Sequence, residues 1–141
     1  MARVFFYHGA PDRIQAACAW IADHPAPEAK LLVYVPDPQL ADRLDRQLWI
    51  QPPNGFLPHC RAGSPLADET PIILADWIDP ARATPRLLNL SDEIPTGFAS
   101  FDELVEIIST DDSVRLPARE RFKFYRERGY DLINKDVSGG F

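Results

Sequence analysis

Four cationic residues at helical spacing, Arg115, Arg119, Lys123 and Arg126, flank Phe122; the last three lie in a stretch that reads RERFKFYRERGYDL over 119–132. Guanidinium and ammonium groups on one face bind anions through charge-assisted hydrogen bonds. An aromatic ring at their edge adds an apolar foothold. Between Arg115 and Arg128 lie six basic and two acidic residues, a local charge of +4. The chain has 15 Lys and Arg against 21 Asp and Glu, so nine basic and nineteen acidic residues remain outside this stretch, a charge of -10. On a helical wheel Val114, Ala118, Phe122 and Tyr125 fall within about 40° of one another's mean direction, a core-facing stripe. The four cations form a second stripe directly beside it, and Glu120 and Glu127 fall on the far side. A solvated helix face usually alternates signs at i, i+4; like charges there cost a few tenths of a kcal/mol per pair. The competing reading is a solvated basic face near a helix C-terminus, where cations are favoured. Pro117 removes a backbone hydrogen bond, so the sequence predicts a helix that starts close to Leu116 or kinks there.

Other reactive residues are scattered. His59 and Cys60 are adjacent, but neighbours in extended chain point to opposite faces, so they form no nucleophile–base dyad. His8-Gly9 follows the first predicted strand, where open α/β sheets place ligands. The stretch YHGAPDR nevertheless lacks the glycine spacings that let backbone amides cradle a phosphate. No His, Cys, Asp or Glu set has metal-ligand spacing, and no cofactor is implied. Trp49 and Phe56 stand in proline-rich chain on either side of an Asn-Gly turn. Each is read either as an interface anchor or as a ring folded back on the core.

Elements must position these groups. RVFFY (3–7) and KLLVYV (30–35) read as strands, the second as one buried on both faces. Between them Ile14, Ala17, Cys18 and Ile21 recur at helical spacing behind Asp12, a capping residue. Asp37 and Pro38 open a helix over 36–49. IILAD (72–76) and RLLNLS (86–91) read as strands. FASFDELVEIIS (98–109) reads as a helix with a Ser100/Glu103 capping box. The last helix ends at Gly129. The whole predicts one three-layer α/β/α domain over 1–141. Its sheet is largely parallel, parallel at least through its first half, and residues 134–141 form a flexible tail. The chain's 141 residues suffice for one core. Its two cysteines, Cys18 and Cys60, read as free thiols of a reducing compartment. No signal peptide or apolar span is visible, so the sequence reads as soluble and cytoplasmic. The net charge of -6 argues against wholesale wrapping of nucleic acid.

Several stretches together resemble one family. RLDRQLWIQPPNGFLPHCRAG (43–63), followed by PIILADW (71–77) and later ARERFKFYRERGYDL (118–132), is similar to the chi subunit of bacterial DNA polymerase III, and ARVFFY (2–7) fits its first strand. The resemblance implies a non-catalytic accessory subunit of the clamp-loader complex, with a nucleotide-binding-like α/β fold that lacks the nucleotide site. Such a subunit joins the complex, through the psi subunit, to the acidic C-terminal tail of the single-stranded-DNA-binding protein. That tail ends in proline-phenylalanine with a free carboxylate, and DNA is then contacted indirectly. Carried over by position, the tail-binding residues fall on Arg119, Lys123 and Phe122, with Ile108 as a wall and Arg115 as a further cation. The psi-facing aromatics fall on Trp49 and Phe56, a surface at which a helicase is the other implied partner. Two further readings stand beside it. A small nucleotide-dependent or hydrolytic enzyme requires a convergent polar site at the strand C-termini near His8. A direct nucleic-acid binder requires oligonucleotide affinity that survives physiological salt.

Overall fold

The computed structural model describes residues 2–24, 30–50, 58–65, 70–78 and 85–140. Strand β1 (Arg3–Ala10) leads into helix α1 (Arg13–Asp23), and β2 (Leu31–Tyr34) into α2 (Pro38–Ile50). Three short strands follow, β3 (His59–Arg61), β4 (Ile72–Ala75) and β5 (Arg86–Asn89). The chain then forms β6 (Glu103–Ser109), α3 (Asp112–Glu127) and β7 (Asp131–Asp136). Among the described residues these strands make one sheet in the order β3-β4-β2-β5-β6-β1-β7. All six pairings are parallel, so the sheet is parallel throughout and not in its first half alone.

Helix starts follow the capping residues. The Asp12 carboxylate accepts the Gln15 N–H at 2.9 Å and caps α1. Asp37 accepts the Gln39 N–H at 2.9 Å, and Pro38 takes the first helical position of α2. Along α2, Ala41, Leu44 and Leu48 are buried; each leucine contributes roughly 1.5–3 kcal/mol by leaving water. α1 and α2 cover one face of the sheet, over Val33, Leu74, Leu88, Val105 and Ile107. The other face carries α3, with Tyr125 over Leu32, Leu87 and Leu104. Ala118 of α3 meets Phe6 and Ile108 on that same face. This is the three-layer α/β/α arrangement.

Three expectations change. Residues 98–109 are not a helix: Phe98–Ser100 make one 3-10 turn, and Glu103–Ser109 are β6, paired with β1 and β5. A strand lying between two others and covered on both faces is apolar on both faces, which hides its two-residue period. The last helix begins well before Leu116. Asp111 accepts the Ser113 N–H at 3.1 Å as its cap, and Pro117 sits inside the second turn. Finally, Asn134–Asp136 belong to β7, in register with Phe6, Tyr7 and His8, and the Val137 N–H donates to the His8 carbonyl at 2.8 Å. The ordered fold therefore extends into the stretch expected to be a tail.

Candidate functional site: a cationic cleft beside the last helix

The cleft forms where α3 lies over the C-terminal ends of β1 and β6. β1 supplies Phe6, alternate with Val4 on the α3 side of the sheet, and β6 supplies Ile108, which is 3 % exposed. Ala118 and Phe122 of α3 close over them. The Phe6 and Phe122 rings meet edge to face with centroids 5.1 Å apart, a preferred aromatic geometry. The result is a cavity of about 720 Å³ with Phe6, Ile108, Ala118 and Phe122 as its floor. That volume is in the range of small-ligand pockets.

Arg115, Arg119, Lys123 and Arg126 border the cleft, with Glu120 as the acidic member of the same rim. The wheel had put Glu120 on the far side; it is exposed and reaches the opening. The five expected tail-binding residues, Arg115, Arg119, Phe122, Lys123 and Ile108, thus converge on one cavity. They are not equally available. Arg115 donates to the Asp112 carboxylate one turn back. Arg126 lies over the Phe122 ring, 5.9 Å from its centroid. Arg119 and Lys123 are exposed and form no ion pair among the described residues.

One cation of the stretch points inward. Arg121 is 2 % exposed and gives Nε and Nη2 to the buried Glu106 carboxylate of β6 at 3.0 and 3.1 Å. Tyr125 donates its hydroxyl to the same carboxylate at 2.7 Å, and the Asn89 amide adds a further hydrogen bond at 3.0 Å. Burial, and then the adjacent Glu106 charge, push the Tyr125 hydroxyl far above its ordinary range. This network ties α3 to β5 and β6 and fixes which side of the helix meets the sheet. Arg119 and Lys123 are thereby aimed into the cleft. The sequence carried a signal for it, a lone glutamate inside the apolar run LVEII, which a helical reading places on a solvated face.

Sequence reasoning also missed Phe6 and Asn134 as cleft residues, and it placed His8 at a ligand-bearing strand end without joining it to this cleft. Alternation gives Phe6 a face but not which helix covers it. Asn134 belongs to a strand with few apolar residues.

Trp49 lies elsewhere. It ends α2, is 57 % exposed, and packs against the His59 ring of β3 at 4.9 Å. β3 is at the opposite side of the sheet order from β1 and β7. Ile50 beside it is 68 % exposed, so two large apolar side chains stand in solvent together. Phe56 lies outside the described residues. His59 and Cys60 do diverge. The His59 ring is buried against Asp45, with Nε2 to Oδ1 at 2.9 Å, while Cys60 lies on the other side of the edge strand. Among the described residues no three potential metal ligands cluster, and no helix is long and apolar enough to cross a membrane.

The chain is a parallel α/β domain with an aromatic-floored, cation-rimmed cleft beside its last helix, whose parts are chemically complementary to an anionic group joined to an apolar one. The comparisons name the family. The family model described as DNA polymerase III chi subunit, HolC, matches residues 1–133. The chain is 33 % identical over 110 residues to the DNA polymerase III subunit chi of Haemophilus influenzae, covering 77 % of this chain and 76 % of that one. It is 31 % identical over 120 residues to the Escherichia coli subunit chi, covering 84 % and 81 %. The Pseudomonas aeruginosa subunit chi is 30 % identical over 120 residues, covering 85 % and 83 %. The chain belongs to the DNA polymerase III chi subunit family.

Proposed function

We propose that this chain is a non-catalytic adaptor of the clamp-loader complex in DNA replication, working in the cytoplasm. It captures the acidic C-terminal tail of the single-stranded-DNA-binding protein in the cleft beside α3. It joins the clamp loader through psi, or meets a helicase, at the surface marked by Trp49 and, by sequence, Phe56. The observation that carries this reading is the convergence of Arg115, Arg119, Lys123 and Arg126 around a floor of Phe6, Ile108 and Phe122. An acidic peptide ending in proline-phenylalanine offers the complementary parts: a ring for the floor, and a terminal carboxylate with upstream carboxylates for the rim. The two surfaces lie at different sides of the sheet, so both partners fit at once.

The test is a titration of the protein with a labelled peptide copying the last ten or so residues of the tail, followed by fluorescence anisotropy. The free-acid peptide is expected to bind, and to bind less tightly as salt rises. The amidated peptide, which keeps the ring but loses the terminal charge, is expected to bind at least about tenfold more weakly, the loss of a charge-assisted contact. Equal binding of the two peptides removes the cleft as the tail site.

A further inference from the structure

We infer that His8 is an anion-contacting residue of the cleft, and that its protonation strengthens capture of the acidic peptide. The inference rests on the tail-capture reading above and goes beyond it by adding a titrating group. β1 alternates Val4, Phe6 and His8 toward the α3 side, and the structure places His8 in the lining of the same cavity as Phe6 and Phe122. Its backbone is held by β7. Its carbonyl accepts the Val137 N–H at 2.8 Å, and the strand is in register with Asp136 of β7. Its ring is half-buried and makes no hydrogen bond or ion pair among the described residues.

Charged groups face this ring from two elements. From α3 come Arg115, Arg119, Lys123 and Arg126, with Glu120 beside them. From β7 comes Asp136, whose carboxylate already accepts the Ser138 N–H at 2.8 Å. That hydrogen bond, more than His8, holds Asp136 ionised below the usual carboxylate range. β6 contributes the uncharged Ser109 at this end, and Thr110 follows it. Around His8 the cleft therefore carries four cationic side chains from α3, with Glu120 and Asp136 as its acidic members. An acidic peptide seated there reverses the local field and favours imidazolium, which donates from both ring nitrogens. Histidine is the side chain whose charge ordinarily changes between about pH 5 and 8. The carboxylates of the peptide stay ionised across that window, so proton uptake on binding reports on the protein.

The experiment is the anisotropy titration of the full chain with the free-acid tail peptide at about pH 6 and about pH 8, at constant ionic strength. Wild type is expected to bind about three- to tenfold more tightly at the lower pH, the span of a linkage of up to one unit. His8→Gln is expected to flatten that dependence, and His8→Lys to bind with equal strength at both pH values. Far-UV circular dichroism of each variant verifies folding. A flat wild-type profile overturns the role of His8 and leaves tail capture standing. So does a His8→Gln profile with the wild-type slope. A wild type that fails to bind at either pH overturns tail capture, and the role of His8 falls with it.

Discussion

The Glu106 carboxylate holds Arg121 at two points, with Nε at 3.0 Å and Nη2 at 3.1 Å, both side chains out of contact with solvent. Glu106 is on β6 and Arg121 on α3, so this pair joins the sheet to the helix that borders the cleft. Two buried charges lose hydration that their attraction only partly returns. Tyr125 and Asn89 complete the acceptor side. On the donor side, Arg121 Nη1 is buried with no hydrogen-bond partner among the described residues.

Glu106→Ala is therefore expected to destabilise the fold by about 3–5 kcal/mol, the cost of leaving a buried charge without its partner. Replacing Glu106 and Arg121 together by leucine and methionine is expected to cost far less, because both charges then leave the interior. Urea denaturation of the two variants measures the difference. A loss below about 1 kcal/mol in Glu106→Ala, the size of an ordinary hydrogen bond, contradicts the role assigned to the pair.

Arg119 and Lys123 carry a prediction of a different kind, because neither supports the fold. Both are exposed, so Arg119→Ala and Lys123→Ala are expected to leave stability within about 0.5 kcal/mol. Each is expected to weaken tail-peptide binding by about 1–3 kcal/mol, and to flatten its salt dependence. Arg115→Ala is expected to cost less, since Asp112 already engages that guanidinium. Wild-type peptide affinity in both Arg119→Ala and Lys123→Ala disproves the assignment.

The start of α1 gives a pH-dependent prediction. Partial burial pushes the Asp12 carboxyl up, but the Gln15 N–H and the Arg43 guanidinium outweigh it and hold the group below its ordinary value. A carboxyl depressed in the folded state contributes stability that is present above its unfolded value and is lost as pH falls through the folded one. Asp12→Ala is expected to cost about 1 kcal/mol at neutral pH through the lost cap. Its partly exposed bond to Arg43 adds little after screening. The gap to wild type is expected to close as pH falls below the usual carboxylate range. Urea midpoints at neutral and acidic pH measure it, and a gap of constant size rules out an ionised cap.

The sequence was legible where one face of an element meets solvent. α2 shows this: Leu44 and Leu48 are buried while Arg43 and Arg46 are exposed, so the helical period stands out. β6 fails for the opposite reason. Leu104, Val105, Ile107 and Ile108 are all buried, on two faces, and their spacing satisfies a helix equally well. Ser100 and Glu103 then imitated a capping box across what is a 3-10 turn and a strand start. β7 was missed because an edge strand with polar residues carries little apolar signal, and its partner β1 lies about 130 residues away in sequence. The cleft was half legible. Helical spacing grouped Arg119, Phe122 and Lys123, but only topology brings Phe6 and Ile108 beneath them. Arg121 enters the sequence reading only as part of the local charge, and nothing in its spacing reveals that Glu106 waits for it on β6.

Trp49 supplies the last test, and it separates the two surfaces. The ring is more than half exposed at the end of α2, against His59, whose own ring is anchored to Asp45. A large exposed ring held on a helix end, next to the exposed Ile50, has the properties of an interface anchor. Trp49→Ala is expected to reduce psi association by at least about 2 kcal/mol, the size of an interface hot spot. Tail-peptide affinity is expected to stay at the wild-type value, because the cleft lies across the sheet. Size-exclusion co-elution with psi and peptide anisotropy read the two outcomes, with far-UV circular dichroism verifying the fold. If both affinities fall while the spectrum collapses, Trp49 is supporting the core through His59. If psi association survives with the spectrum intact, the partner docks elsewhere.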